Sequence, residues 1–396
     1  MKKNNLIHFL SGDKKISSFS LQPYNPIICE FLDNLSKSLN KDKKAKIYPD
    51  LKTLAFWCRK KNIEIMKKKF SFTDFRIGLG LLFHIAPSNV PTNFAYSLIF
   101  GLLTGNTNIV KVPHQKFEQV KIICNNINKI VKAKKFSKIK DMIKIVRYHQ
   151  NDEFTKNISK ICDARIIWGG DDTIKNIRNF KLQERSLDIA FSDRFSFCVI
   201  NAKKFLQIKK FEKQRLFEKF YNDTYLVDQN ACSSPHLILW INDDKSKIKD
   251  LFWRGLSDYL KKKYNLPELG LFDKQTKLYT DLASSNNIKS HKILSNFLYL
   301  IRLKKLNNDI CSLRGKWGYF YEYDINSLDQ ISKFIEKNCQ TLSYFGLSKD
   351  YLSKFIKKNH LKGIDRIVPI GQALEIDLNW DGYDLNRILT RIVDLK

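Results

Sequence analysis

Short apolar runs rich in Ile, Val and Phe recur at residues 79–86, 108–112, 143–148, 164–168 and 195–200. Between them, residues 93–103, 117–131, 152–161 and 173–180 carry apolar positions at helical spacing. Brief β-branched and aromatic runs bounded by turn residues predict buried strands, and the intervening period predicts helices. Strand and helix alternating in this way predict a parallel sheet covered on both faces. The chain therefore reads as α/β, with a first doubly wound domain ending near residue 200.

Outside that stretch the pattern changes. Residues 1–75 read as mostly helical and polar, broken early by Pro23 and Pro26. Beyond 200 the alternation restarts with a charged amphipathic helix at 203–221, a polar loop at 228–235, a strand at 236–241 and a Lys-rich helix at 245–264. A second α/β unit is expected there. Periodicity fades over 265–310, where no order of elements is assigned. Residues 363–371 predict a strand with glycine at both ends, and 380–384 predict a turn.

The length of 396 residues suits two domains, and 43% hydrophobic with 13% aromatic content supports a large core. The net charge of +30 invites a nucleic-acid reading. The lysines, however, spread along the whole chain rather than forming one basic surface, so no nucleic-acid partner is expected. Attraction of an anionic substrate or an acidic carrier protein is the weaker use of that charge. The 8 cysteines form no C-x-x-C pair and show no metal-ligand spacing with the 7 histidines. Free thiols in a reducing compartment follow, with no metal. The basic start has too short an apolar run for a signal peptide, and no uncharged stretch reaches membrane-spanning length. The expected location is the cytoplasm.

Two loops carry candidate chemistry. Pro87-Ser88-Asn89-Val90-Pro91 ends the first apolar run. Its two prolines deny the backbone ladder hydrogen bonds and fix local dihedrals, leaving Asn89 as one presented amide. The loop suits a binding crevice at a strand end, and equally a capped turn before a buried helix. The second loop is Asp228-Gln229-Asn230-Ala231-Cys232-Ser233-Ser234-Pro235. A cysteine in a polar loop leading into an apolar strand is placed like a nucleophile, whereas Cys124 and Cys198 sit inside apolar runs like core residues.

Together these segments resemble the aldehyde dehydrogenase superfamily, and within it the LuxC-type acyl-CoA reductases of bacterial bioluminescence. The family's proline-x-asparagine-x-proline motif matches Pro87 to Pro91. Its G-N-T-hydrophobic-K-P segment resembles residues 105–113, Gly105-Asn106-Thr107-Asn108-Ile109-Val110-Lys111-Val112-Pro113. The C-S-S-P loop matches Cys232 to Pro235, and the family's C-terminal patterns resemble 363–374 (GIDRIVPIGQAL) and 380–384 (WDGYD). The resemblance spans about residues 75 to 396.

This resemblance implies two doubly wound domains: residues 1–200 with amino-terminal helices and an NAD(P)-binding domain, and residues 201–370 with the nucleophilic cysteine. Residues 371–396 would form a segment returning to the first domain or to a neighbouring subunit. It implies that Cys232 attacks an acyl thioester, expels CoA and becomes acylated. The Asn89 amide and the Cys232 N–H would bind the oxyanion. Lys111 would bond the adenine ribose, although a solvated lysine at a strand end fits the same position. His114 stands where NAD-using relatives carry a glutamate, which favours NADPH over NADH. Gly169 and Gly170 correspond to the glycine turn beside the nicotinamide and pyrophosphate. Asp171 and Asp172 fit that turn or serve as plain helix caps.

One departure matters. The E-L-G-G-K segment that activates water in hydrolytic relatives has no counterpart at 188–195 (DIAFSDRF). Reduction of a thioester needs no such glutamate. The proton donor stays unassigned: His236 is a candidate, with a place in the core as its alternative, and Asp193 with Arg194 could pair at the crevice. The expected activity is NADPH-dependent reduction of an acyl-CoA or acyl-carrier substrate to an aldehyde. Its rivals are an aldehyde dehydrogenase working oxidatively, and an acyl-transfer protein passing the group from Cys232 to an acyl-protein synthetase or acyltransferase. Homo-oligomers are usual among such relatives.

Overall fold

The computed structural model describes residues 7–70, 72–149, 152–242 and 247–396. The first residues of the chain and the start of the helix expected at 245–264 lie outside them. Two compact units emerge: Met1–Asp193 with Ile376–Lys396, and Arg194–Glu375.

The first unit is built on six strands: β1 (His8–Ser11), β2 (Leu81–Ile85), β3 (Thr107–Lys111), β4 (Ile143–Arg147), β5 (Ala164–Trp168) and β6 (Leu187–Phe191). Their order is β1-β4-β3-β2-β5-β6, parallel except for β1, which runs antiparallel to β4. The chain enters at β2, works outward through β3 and β4, then crosses back to β5. A topological switch point therefore lies between β2 and β5, where connections leave in opposite directions. The crossovers include α1 (Asn93–Leu103), α2 (Glu118–Ile130), α3 (Asp152–Ser159) and α4 (Asp171–Arg178). Every residue of α1 after Asn93 is buried, as its nearly uninterrupted apolar sequence requires.

Two glycines permit the close packing of α1. A Cβ on Gly101 would stand 1.8 Å from Asn108 Oδ1, so this helix face meets β3 only without a side chain. Gly105 ends the helix with φ +84°, and a Cβ there would meet the Leu21 carbonyl at 2.1 Å. The carboxy-terminal segment packs on this unit. Asn106 donates to Leu389 O at 3.0 Å, and Trp57 Nε1 donates to Ile376 O at 2.8 Å. Within it Asn379–Trp380 pairs with Tyr383–Asp384 across Asp381 (φ 49°) and Gly382 (φ 77°). Two left-handed residues make the tight hairpin that an Asp-Gly pair favours.

The second unit contains β7 (Phe195–Asn201), β8 (Pro235–Ile241), β9 (Ile288–Ser295), β10 (Leu298–Leu303), β11 (Tyr319–Ile325), β12 (Cys339–Phe345) and β13 (Arg366–Pro369). Their order is β9-β10-β11-β8-β7-β12-β13, parallel except for the β9–β10 hairpin. The helices include α5 (Lys210–Thr224), α6 (Lys247–Lys263) and α7 (Glu268–Ser284).

The pattern of strands and helices agrees with the α/β reading, with four differences, the first being that the helix expected at 203–221 is two, Ala202–Gln207 and Lys210–Thr224. Residues 8–11 form an edge strand in a region read as mostly helical. Residues 187–191 form β6, where no strand was expected. Residues 268–303 form a helix and a hairpin in the stretch without readable periodicity.

Candidate active site

The first unit gathers five of the expected site residues at the carboxyl edge of its sheet. The loop after β2 carries Asn89, which is exposed in a bend. Its two flanks are fixed from beneath by buried polar contacts. Trp168 Nε1 on β5 donates to Ser97 Oγ on α1 at 3.0 Å. Ser97 Oγ lies 2.7 Å from His84 Nδ1, and His84 Nε2 lies 3.0 Å from Asn108 Oδ1. Asn108 Nδ2 donates to Asn106 O at 2.7 Å. These directions decide the histidine tautomer. Asn108 Oδ1 can only accept, so Nε2 carries the proton, and Ser97 donates to Nδ1. Burial drives the His84 pKa down to about 4, which keeps the ring neutral. The strand before the Asn89 loop and the helix after it are thereby tied to β3 and β5.

Lys111 ends β3 beside this loop. Its backbone carbonyl accepts from Ala86 N at 3.0 Å, and its ammonium lies 5.2 Å from the centre of the Tyr148 ring. Three residues on, His114 is exposed and packs edge-on against His149, with ring centres 4.6 Å apart. The chain there is held to the neighbouring strand by Val112 N to Val146 O at 2.9 Å and by Arg147 Nε to Pro113 O at 3.1 Å. Across the switch point, Gly169 donates to Phe191 O at 3.1 Å. Gly170 is the N-cap of α4, and a Cβ added there would meet nothing within 4 Å. Asp171 and Asp172 are first-turn residues of α4 rather than its cap, a placement that favours acids through the helix dipole.

The second unit holds Cys232 at the amino edge of its sheet. The thiol is half-buried in the turn just before β8. Two consecutive left-handed residues, Asp228 (φ 53°) and Gln229 (φ 61°), start this loop. The Gln229 side chain is 1% exposed and acts as its frame. Its Nε2 donates to Pro235 O (3.0 Å) and Tyr319 O (3.2 Å), while Oε1 accepts from Gly318 N (3.1 Å) and Tyr319 N (3.3 Å). Trp317 N donates to Asp228 O at 3.1 Å, and Tyr264 Oη donates to Asp228 Oδ1 at 2.6 Å. Ser196 Oγ, on β7, donates to the Cys232 carbonyl at 2.6 Å. Ser234 Oγ donates to Asp223 O at 2.8 Å.

The Asp223 carboxylate in turn accepts from Gly371 N at 2.6 Å and Ala373 N at 2.9 Å. Burial is the main cause that raises its pKa to about 7. Arg366 closes the same turn, donating to Ala373 O at 2.9 Å, Gln372 O at 3.2 Å and Glu375 O at 2.9 Å. One frame therefore joins the cysteine loop to the motif at 363–374.

Five thiols outside this loop sit in environments that oppose ionisation. Burial pushes Cys124 and Cys162 up to about 12, and raises Cys29, Cys58 and Cys198. His236 lies in the core at 4% exposure, stacked near Phe195, with Nδ1 accepting the Gly315 N–H at 3.2 Å. Burial, with Arg314 adding to it, lowers its pKa to about 3. Such a ring is a poor proton carrier near neutrality, so the core alternative describes it. Arg194 pairs with Asp365 and donates to Lys337 O at 2.6 Å and Cys339 O at 2.7 Å, which makes it a clamp on strand starts.

The frame residues Gln229, Ser196 and Asp223 were not singled out by sequence. Gln229 alone left a trace, as a long amide inside a polar loop beside the cysteine. Among the described residues, no helix is long and apolar enough to cross a membrane.

Comparison with known proteins bears on most of the chain. The family model "Acyl-CoA reductase (LuxC)" matches residues 31–391. No curated protein matches. Among solved structures, betaine aldehyde dehydrogenase from Staphylococcus aureus in complex with NAD+ aligns with a TM-score of 0.55 at 13% identity, over 86% of this chain and 74% of that one. An oxidoreductase from Marinobacter aquaeolei aligns with a TM-score of 0.60 at 10% identity, over 88% and 79%. A proline utilization A protein from Bradyrhizobium japonicum gives 0.63 at 11% identity, over 91% of this chain but only 40% of that larger one. Identities this low speak for the fold, which is that of aldehyde dehydrogenases. The match to the family model covers most of the sequence, and the chain belongs to the acyl-CoA reductase (LuxC) family.

Proposed function

We propose that this protein reduces a fatty-acyl thioester, carried by CoA or by an acyl carrier, to the aldehyde with NADPH, through an acyl group bound to Cys232. The observation that carries the reading is the Cys232 turn: a half-buried thiol on a loop held by backbone and side-chain hydrogen bonds, in a member of an acyl-CoA reductase family.

The Cys232 sulfur attacks the thioester carbonyl, the bond from carbon to the departing sulfur breaks, and CoA leaves as a thiolate that takes up a proton. Ser196 holds the Cys232 carbonyl by its 2.6 Å hydrogen bond, which fixes the peptide that carries the nucleophile. Asn89 is assigned as an oxyanion donor on its motif, its loop being anchored through Ser97 and His84. A reduced nicotinamide, when bound, supplies the hydride that turns the acyl carbon to the aldehyde level. The carbon–sulfur bond to Cys232 then breaks, and the thiolate is restored.

The first sheet fits that cofactor on three grounds. It has a switch point between β2 and β5, open space above Gly170 at a helix start, and a cation, Lys111, at the neighbouring strand end. The segment 111–117 (KVPHQKF) holds no carboxylate to repel a 2′-phosphate, which favours NADPH over NADH.

The test is incubation with acyl-CoAs from short to long chain, following NADPH absorbance and the mass of the protein. The reading expects NADPH consumption with at least one chain length and an acyl adduct on Cys232 that is lost in Cys232→Ala. An adduct that persists in Cys232→Ala refutes the assignment of the nucleophile. The acyl-transfer reading predicts the same adduct with no NADPH consumption.

A further inference from the structure

Apart from Cys232, one pair of thiols stands out from the rest. The Sγ atoms of Cys311 and Cys339 lie 3.6 Å apart, and both are free. Cys339 is the first residue of β12 and is firmly held. Its N–H donates to Glu336 O at 2.9 Å, and its carbonyl accepts from Ile364 N at 2.9 Å and from Arg194 at 2.7 Å. Cys311 is half-buried on a short helical turn, Ile310–Ser312, in the connection between β10 and β11. We propose that Cys311 and Cys339 form a reversible disulfide when the protein meets a peroxide, and that this bond alters the brace of the Cys232 loop.

Bonding requires the sulfurs to approach to about 2 Å, a shift of roughly 1.5 Å that the short turn makes more readily than the strand. The surroundings suit the chemistry. Directed at Cys339, the Cys311 S–H lowers the Cys339 pKa against the opposing cost of burial, and Arg194 contributes in the same sense. The proton shared within the pair raises Cys311 correspondingly. One sulfur of the pair is thus nucleophilic while the buried thiols elsewhere are not.

The steps balance. A thiolate of the pair attacks one peroxide oxygen, the O–O bond breaks, and a sulfenic acid forms as water leaves. The second sulfur then attacks the first, the S–O bond breaks, and a second water carries away the remaining thiol proton. Two thiols lose two electrons, and one hydrogen peroxide becomes two waters.

The consequence runs through the segment after Cys311. Arg314 donates through Nε to the Cys311 carbonyl at 3.1 Å and through Nη1 to Arg194 O at 2.9 Å. Gly315 N reaches His236 Nδ1, Trp317 N reaches Asp228 O, and Gly318 N reaches Gln229 Oε1. A pull on Cys311 therefore acts on the residues that hold the first half of the Cys232 loop. The disulfide itself is independent of the reductase reading; only its meaning for catalysis rests on that reading.

The experiment uses full-length protein carrying Cys232→Ala, so that oxidation of that thiol does not overlap. After stoichiometric hydrogen peroxide the intact mass should fall by about 2 Da, and a non-reducing digest should join the peptides containing Cys311 and Cys339. Dithiothreitol should restore the mass, and Cys311→Ser or Cys339→Ser in the same background should abolish the link. Hydrogen exchange at 228–235 and 311–319 should differ between oxidised and reduced protein. A mass that rises by added oxygen alone, or a link between other cysteines, overturns the pair. A mapped link with unchanged exchange at 228–235 overturns its action on the loop. Neither result bears on whether Cys232 is acylated in the wild-type protein.

Discussion

Removing the Gln229 side chain should cost the second unit more stability than its position in a polar loop suggests. Gln229→Ala deletes two donated and two accepted hydrogen bonds at 3.0–3.3 Å. Tyr319 N retains a second acceptor in Lys316 O at 3.2 Å, so its loss is partial. At about 1 kcal/mol for each bond, the sum is ~3 kcal/mol. The buried site admits little water to replace them, since the side chain is 1% exposed. Backbone strain contributes nothing to the difference, because glutamine and alanine are both disfavoured at φ 61°. A loss of ~3 kcal/mol lowers the melting temperature of a unit of this size by roughly 6–12 °C. Gln229→Glu makes a sharper control. It keeps the two accepted bonds and turns a carboxylate oxygen toward the carbonyls of Pro235 and Tyr319, so it should fall at least as far. Differential scanning calorimetry reads the transition, and the rate of iodoacetamide alkylation at Cys232 reads the loop. A drop below about 2 °C in Gln229→Ala, with unchanged alkylation, would refute the role of this amide as the frame of the loop.

Three further outcomes are expected. Asn89→Ala should slow acylation or reduction about a hundredfold, the effect of losing one oxyanion donor, with the fold intact by circular dichroism; an unchanged single-turnover rate removes Asn89 from the site. His114→Glu should shift preference from NADPH toward NADH by about tenfold or more in measured dissociation constants, and an unchanged ratio would detach that position from the ribose. The folded pKa of Asp223, at about 7, lies above the ordinary aspartate value of 3.8, so the folded chain keeps a proton that the unfolded chain has released. Its contribution is fully present below about pH 4 and lost as pH rises to 7, on the order of 4 kcal/mol in all. Asp223→Asn should flatten that slope relative to wild type in denaturation between pH 5 and 8, whereas parallel slopes would show that the carboxylate is already ionised.

How much the sequence reveals depends on whether polarity and burial agree. They agree at β2, β3, β4, β5, β7 and β8, whose apolar runs are buried as strands. They disagree at β6, where Asp188 interrupts the run because it pairs with Arg165 at 2.7 Å; that arginine is 1% exposed and also donates to Phe180 O. An ion pair between neighbouring strands looks like a polar turn to any hydropathy reading. The disagreement is stronger in α7. Lys274 is buried against the Asn296 and Trp317 carbonyls, and Asp281 accepts the Tyr319 hydroxyl at 2.7 Å, while Leu269 (69%), Phe272 (67%) and Tyr279 (69%) are exposed. A helix that buries Lys274 and Asp281 while exposing Leu269, Phe272 and Tyr279 breaks the apolar stripe that the periodicity rule looks for. The candidate site shows the same division. Cys232 and Asn89 are legible because each is an odd residue in a distinctive loop. The amides and carboxylates that hold those loops are legible only once distant strands are seen together.

The two sheets also place their candidate residues at opposite kinds of edge, and chemistry gives a reason. In a parallel sheet the carboxyl edge is where strands hand over to helix starts, whose free N–H groups suit a phosphate. Asn89, Lys111, Gly169 and Gly170 all lie at that edge of the first sheet. The amino edge lacks helix starts, and chain arriving there enters strands directly. That makes it a poor anion site but a good place to immobilise one residue, because the following strand locks the next peptide into a ladder. Cys232 sits three residues before Pro235, whose strand pairs with both β7 and β11, so its turn is tethered to the centre of the second sheet. The carbonyl bond from Ser196 and the Gln229 frame complete the immobilisation on the other side. A nucleophile needs a fixed peptide, since its sulfur has to meet the acyl carbon in one geometry. The amino edge of the second sheet meets that need with the β8 ladder on one side and the Ser196 hydroxyl and Gln229 amide on the other.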